Sequence, residues 1–210
     1  MRFSYITLAL VLTFVLPRAT ASQPPSAAPA GQKPAPGPPP GGQQRRAAAQ
    51  VMTLTTSAWP DGGQIPARFT QAGEQVSPAF TWSTVPDGIM SFVLIARDLD
   101  AITGNGTDDV LHWMLWNIPG ASRSVPEAVP QAAQLPDRTR QMSVSGPYYR
   151  GPGAPAAGPV HHYTFELYAL DTPIDVPAVG QSPAQTRAAV MAAMAGHVRG
   201  KATYIGLFKR

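Results

Sequence analysis

The stretch His161-His162-Tyr163-Thr164-Phe165-Glu166-Leu167-Tyr168-Ala169-Leu170-Asp171 decides the fold. Its character alternates. Counting by twos, His161, Tyr163, Phe165, Leu167 and Ala169 share one face of an extended chain. A histidine and a phenol therefore lead into a run of core residues on the same side of a sheet. Just upstream, Gly146-Pro147-Tyr148-Tyr149-Arg150-Gly151-Pro152 is rich in turn formers and predicts a wall at the strand's mouth. Titratable groups at the rim of an apolar strand describe a small binding pocket.

Working outward, further strands are predicted near Met52–Thr56, Ala79–Ser83, Ser91–Arg97, Val110–Asn117 and Thr203–Phe208, with a short one at Arg68–Thr70. Phe92-Val93-Leu94-Ile95-Ala96 is apolar on both faces and predicts a central strand. One helix is signed by Ser182 as N-cap, Pro183 at its first position and Gln185 completing a capping box. Val190, Met191, Met194 and Val198 form its apolar stripe, and Gly200 is its expected stop. The predicted class is mostly β: an antiparallel sandwich with a C-terminal helix and a final strand.

Residues 1–21 read as an export signal, with Arg2, an apolar run from Ile6 to Leu16 and Ala19-Thr20-Ala21 before the expected cut. That run is about half of the ~20 residues a membrane span needs. Residues 22–50 are dominated by proline and glycine and have no apolar period, which predicts a disordered, semi-rigid linker. Residues 51–210 form the folded domain. The chain has 16 lysines and arginines against 12 acids, but five of those bases precede residue 50 and no acid does. The folded part is nearly neutral, which excludes a basic face for nucleic acid. The absence of cysteine excludes disulfides and thiolate chemistry.

Three segments carry candidate chemistry. Asp98 and Asp100 close the central strand and point the same way if the chain stays extended. They are either solvated turn acids or acceptors for an ammonium or a histidine. His112 lies in Leu111-His112-Trp113-Met114-Leu115-Trp116, on a face expected to include Met114 and Trp116. Glycines and prolines ahead of His161 bring backbone N–H groups within reach of an anion.

These segments together resemble the phosphatidylethanolamine-binding protein family, in its bacterial Raf-kinase-inhibitor-like branch. Ser77-Pro78-Ala79-Phe80-Thr81-Trp82, Asp98-Leu99-Asp100-Ala101 with His112-Trp113 and Asn117-Ile118-Pro119, and Tyr149-Arg150-Gly151-Pro152 with the opening stretch carry the resemblance in order. It spans roughly residues 51–210. It implies a Greek-key sandwich of two antiparallel sheets and an anion pocket. By motif position that pocket is built from Asp98, Asp100, His112, Gly151, Pro152, His161 and Tyr163, with Tyr149 nearby. The chain also departs from the family. Leu99 and Ile102 stand where the family has prolines, and Gly151-Pro152-Gly153-Ala154-Pro155 reduces a more proline-rich rim.

The resemblance implies a binding module for a phosphate or phospholipid head group, with no enzymatic step and no cofactor, and the signal at residues 1–21 predicts export to the periplasm or secretion. A protease or kinase inhibited by surface contact is the partner the resemblance adds. The rival reading is a hydrolase or metal enzyme using the Asp/His cluster. Against it, the chain has no His-Glu-x-x-His helix and no Gly-x-Ser-x-Gly elbow.

Overall fold

The computed structural model describes residues 49–104 and 106–210. The expected export signal, and the linker up to residue 48, lie outside them. The strands are β1 (Gln50–Val51), β2 (Thr53–Thr55), β3 (Gly63–Gln64), β4 (Phe80–Ser83), β5 (Ser91–Thr103), β6 (Asp108–Pro119), β7 (Ser124–Val125), β8 (Arg140–Met142), β9 (His161–Leu170) and β10 (Val198–Phe208). Among the described residues a single α-helix, α1 (Pro183–Met194), precedes β10.

The large sheet runs β1-β10-β9-β5-β6-β8, with β3 also paired to β10, and a smaller sheet runs β2-β4-β7. Neither closes on itself. The central position of β5 follows from its sequence. Phe92, Leu94 and Ala96 enter one core, and Val93 and Ile95 enter the other. The first core is covered by the small sheet through Leu54, Phe80, Trp82 and Val125. The alternation of β9 is realised there, with Tyr163, Phe165, Leu167 and Ala169 all in this core. Phe165 meets Phe80 and Trp59 at ring separations of 4.9 and 5.5 Å. The second core is closed by α1, whose Val190 and Met194 pack on Val93, Ile95, Met114 and Trp116. Each fully buried side chain of this size stabilises the fold by about 1.5–3 kcal/mol.

Several local expectations are corrected. β1 and β3 pair parallel with β10, so the large sheet is mixed at that edge rather than purely antiparallel. Ala67–Phe69 is a 3₁₀ turn, not a strand. The capping box of Ser182 and Gln185 forms as predicted. The helix stops at Met194, however, because Gly196 takes a left-handed φ of 89°. Val198 and Gly200 therefore belong to β10, and Met191 is 43% exposed instead of lying in the apolar stripe.

The pairing of β5 with β6 is irregular. Ala96 pairs with Trp113 and Arg97 with Leu111, so β6 carries one extra residue at His112. This is a β-bulge. Leu111 and Met114 point into the second core while Trp113 points into the first. His112 follows Trp113: its ring stands edge-on to Tyr163, 5.1 Å away. The expectation that His112 shares a face with Met114 and Trp116 fails because the bulge breaks the two-residue period.

A charged ladder crosses the helix side of the sheet. Lys201 of β10 meets Glu166 of β9 at 2.6 Å, and Glu166 meets Arg97 of β5 at 2.6 Å. Arg97 meets Asp109 of β6 at 3.0 Å, and Asp109 also pairs with Arg187 of α1. Four strands and the helix are thereby tied in one chain of opposite charges.

Candidate functional site

The C-terminal end of β5, the N-terminal end of β9 and the bulge of β6 meet at one end of the large sheet. Residues 150–155 cross in front of them. The resulting cleft has a volume of about 200 Å³ and is lined by Asp98, Ala101, His112, Arg150, Gly153, Ala154 and His161, among others.

Asp98 is 3% exposed, and both carboxylate oxygens are engaged. Oδ1 accepts from the backbone N–H groups of Asp100 and Ala101 at 3.0 and 3.1 Å. Oδ2 lies 2.8 Å from Nδ1 of His161. That contact places a proton on Nδ1 and leaves Nε2 for the cleft. Asp98 is thus a positioning group for His161, with no oxygen left over for an ammonium ion.

His112 is held differently. Its Nδ1 lies 2.8 Å from the carbonyl of Arg150, to which it donates. Burial depresses its pKa below the ordinary histidine value. The imidazole is therefore neutral at neutral pH. Arg150 supplies the permanent cation among the lining residues.

Tyr163 packs between the two histidine rings, 5.1 Å from His112 and 6.4 Å from His161. Burial and the nearby Asp98 carboxylate push its phenol well above the ordinary tyrosine value. Its hydroxyl accepts from the N–H groups of Gly153 and Ala154 at 3.2 and 3.1 Å. These two donors on the crossing segment are thereby committed to Tyr163.

The other residues expected at the site fall around the cleft rather than in its lining. Asp100 turns outward and accepts from the backbone N–H of His162 at 2.6 Å, with the ring Nδ1 at 2.8 Å. The backbone bond and the His162 ring hold its carboxyl below the usual range. Tyr149 is buried beneath the crossing segment, donates to the carbonyl of Phe69 at 2.8 Å and stacks edge-on against Trp113. Gly151 is required by packing: a Cβ there would lie 2.7 Å from the carbonyl oxygen of Phe69. Pro152 accepts from the N–H of Gln71 at 2.9 Å.

Gln71 and Arg150 join the site without having been expected there. Gln71 lines the cleft and clamps the crossing segment, donating from Nε2 to the carbonyl of Gly151 at 2.8 Å. No local pattern marks it, since its role depends on a contact 80 residues away. Arg150 stands beside Gly151 in the sequence, and its charge next to a turn-rich wall is the signal that could have found it. Among the described residues, no group of three or more His, Cys, Asp or Glu side chains converges on a metal position. The metal-enzyme reading therefore finds no support in the geometry.

The architecture defines a mostly-β domain with a small polar cleft at the open end of its main sheet. The chain belongs to the phosphatidylethanolamine-binding protein family, whose model matches residues 55–209. A UPF0098 protein of Methanothermobacter thermautotrophicus is 43% identical over 161 residues, covering 76% of this chain and 99% of the relative. LppC of Mycobacterium tuberculosis, named as a candidate lipoprotein, is 31% identical over 163 residues, covering 77% of this chain and 74% of that protein. The crystal structure of Escherichia coli YbcL, described as a member of the mammalian PEBP family, superposes with a TM-score of 0.62 at 25% identity. It covers 76% of this chain and 98% of YbcL.

Proposed function

We propose that this protein is a non-enzymatic binding module for a small phosphate-bearing head group, seated in the Asp98–His112–His161 cleft. The observation that carries this reading is the buried Asp98–His161 pair, which fixes one imidazole edge toward a cleft that also holds Arg150. The cleft volume, about 200 Å³, lies below the ~300–1,000 Å³ of drug-sized sites and suits a head group without its acyl chains. Arg150, and the histidine Nε2 atoms once protonated, are the groups that donate to phosphate oxygens. Every oxygen of Asp98 is occupied, so binding requires no change in that pair.

Calorimetric titration with inorganic phosphate and with phosphorylethanolamine tests the proposal. Binding of either probe is expected, with a loss of tenfold or more in Arg150→Gln and His161→Ala. Absence of heat with both probes, in a protein whose fold is intact by circular dichroism, overturns it.

We further propose that the protein is exported. The apolar run Ile6 to Leu16 ahead of Ala19-Thr20-Ala21 supports this, as does the similarity to LppC. Intact-mass measurement of the protein from a bacterial host should show loss of the first 21 residues, and an uncut cytoplasmic product would refute it.

A further inference from the structure

Another cavity, with a volume of about 230 Å³, shares no lining residue with the cleft. Leu115 and Ile118 of β6 and Val125 of β7 supply one side of it from the first core. Val129 and Leu135, on the segment between β7 and β8, complete the aliphatic lining with three prolines. Buried polar groups hold that segment in place. Ser77 accepts from the N–H of Ala128 through its carbonyl and from the N–H of Val129 through Oγ, at 3.0 and 2.9 Å. Gln141, fully buried, donates from Nε2 to the carbonyls of Pro130 and Ala132 and accepts from the Trp113 indole at 3.0 Å. The cavity is therefore walled by fixed backbone, as a preformed ligand site is. One lining residue breaks this pattern of satisfied groups. Thr139 is 2% exposed, and its Oγ1 has no hydrogen-bond partner among the described residues. Its main chain is already committed: the N–H donates to Asp137 and the carbonyl accepts from Leu135, at 2.9 and 2.7 Å. A buried hydroxyl without a partner is destabilising, so valine would suit this position better unless the oxygen serves something outside the chain.

We infer that this cavity is a binding site for a small uncharged molecule of the alcohol or phenol class, whose apolar body fills the aliphatic pocket and whose oxygen bonds Thr139 Oγ1. Size, charge and polarity each narrow the class. A dry apolar cavity of ~150 Å³ holds benzene, so about 230 Å³ takes one ring with a short polar substituent. No lysine, arginine or histidine is among the lining residues, and the one charged group there is the carboxylate of Asp137, which disfavours an anion. Asp137 is exposed, so water screens its attraction for a cation and it adds little for an amine. A ligand hydroxyl both donates and accepts, and so pairs with a threonine hydroxyl in either sense. Water held against Leu115, Ile118 and Val125 is poorly bonded, and its displacement by an apolar group favours binding. The cleft and this cavity thus select opposite chemistries, one charged and one neutral.

Benzyl alcohol, toluene, benzoate and benzylamine share one body and differ in the polar group. Titrating each into the isotope-labelled full chain, with amide NMR shifts as the readout, tests the inference. Benzyl alcohol is expected to shift Leu115, Val125, Leu135 and Thr139 saturably and to bind about threefold to tenfold more tightly than toluene. Benzoate should not bind there, and benzylamine should bind no more tightly than the alcohol. Thr139→Val keeps the side chain's shape and removes the oxygen, so it should bring the alcohol to the affinity of toluene. It should also unfold at a urea concentration no lower than the unaltered chain, because an unpaired hydroxyl is removed. Thr139→Ser keeps the hydroxyl and should keep the preference. Toluene binding as tightly as the alcohol, or a preference that survives Thr139→Val, overturns the inference. So does tighter binding of benzoate or benzylamine, or the absence of any saturable shift at these residues. Markedly earlier unfolding of Thr139→Val would place a partner for Oγ1 within the fold and overturns it as well. The four probes on the unaltered chain decide the remainder without that variant.

Discussion

Replacing Asp98 with alanine removes the group on which the cleft is organised. The carboxylate accepts three hydrogen bonds: two from backbone N–H groups, at 3.0 and 3.1 Å, and one from His161 at 2.8 Å. Hydrogen bonds to a charged partner contribute about 1.5–3 kcal/mol each. A simple sum overshoots for two reasons. Removing the carboxylate also removes its desolvation cost, which is several kcal/mol for a buried ion. The cleft is open, so water reaches part of the vacated space. A net loss of about 2–4 kcal/mol is expected, which lowers Tm by roughly 4–16 °C for a domain of this size. Asp98→Asn keeps an oxygen for the two backbone donors and gives up the charge, so it should lose about half as much. Urea unfolding of both variants at neutral pH measures the difference, with an unchanged m-value confirming that the native fold is the reference. If Asp98→Ala lies within about 0.5 kcal/mol of the unaltered protein, the carboxylate does not organise this end of the sheet.

Gly151→Ala and Gly153→Ala should separate by what they strike. A Cβ at 151 meets backbone atoms of Phe69 and Thr70, a fixed obstacle costing about 1–3 kcal/mol, whereas a Cβ at 153 meets the end of the Gln71 side chain, which can move. Equal losses in chemical denaturation would refute the distinction. Because burial keeps His112 neutral, phosphate binding should tighten as pH falls through its lowered pKa, with proton uptake on binding visible in calorimetry across buffers of different ionisation heat. A profile with no tightening below the ordinary histidine value would show that His112 does not meet the anion. Burial raises the Asp109 pKa, but pairing with Arg187 and Arg97 more than reverses this. Its contribution to stability is therefore complete above the unfolded carboxyl value and is lost as pH falls through the depressed folded value. Asp109→Asn should lower stability at pH 7 and flatten the acid limb of a stability profile, and an unchanged acid limb would count against the ladder.

The fold is legible in the sequence because its strongest signals are local and periodic. The alternation of β9, the two-sided apolar run of β5 and the Ser182–Gln185 cap each depend on neighbours a few residues apart. The features that escape a sequence reading depend on long-range geometry. The bulge at His112 arises from the register between β5 and β6, which no single strand encodes, so the two-residue period assigns the wrong face. Glycines at 196 and 200 are equivalent as helix stops in sequence, and only the pairing of β10 separates them. Asp98 and Asp100 look alike in an extended chain. The turn closed by Asp98 Oδ1 sends one inward to His161 and the other outward to His162. The edge strands β1 and β3 are two residues long, too short for any period to appear.

The extra residue in β6 has a consequence for how this site can change. On one side of the bulge Trp113 to Trp116 alternate between the two hydrophobic cores, and on the other Val110 lines the cleft. Chain length, rather than side-chain identity, keeps these halves in phase. Deleting one residue at 112–113 would restore the regular pleat and carry every preceding side chain of β6 to the opposite face. Substitutions at the mouth can therefore accumulate without disturbing the interior, while a single deletion would exchange the two surfaces at once.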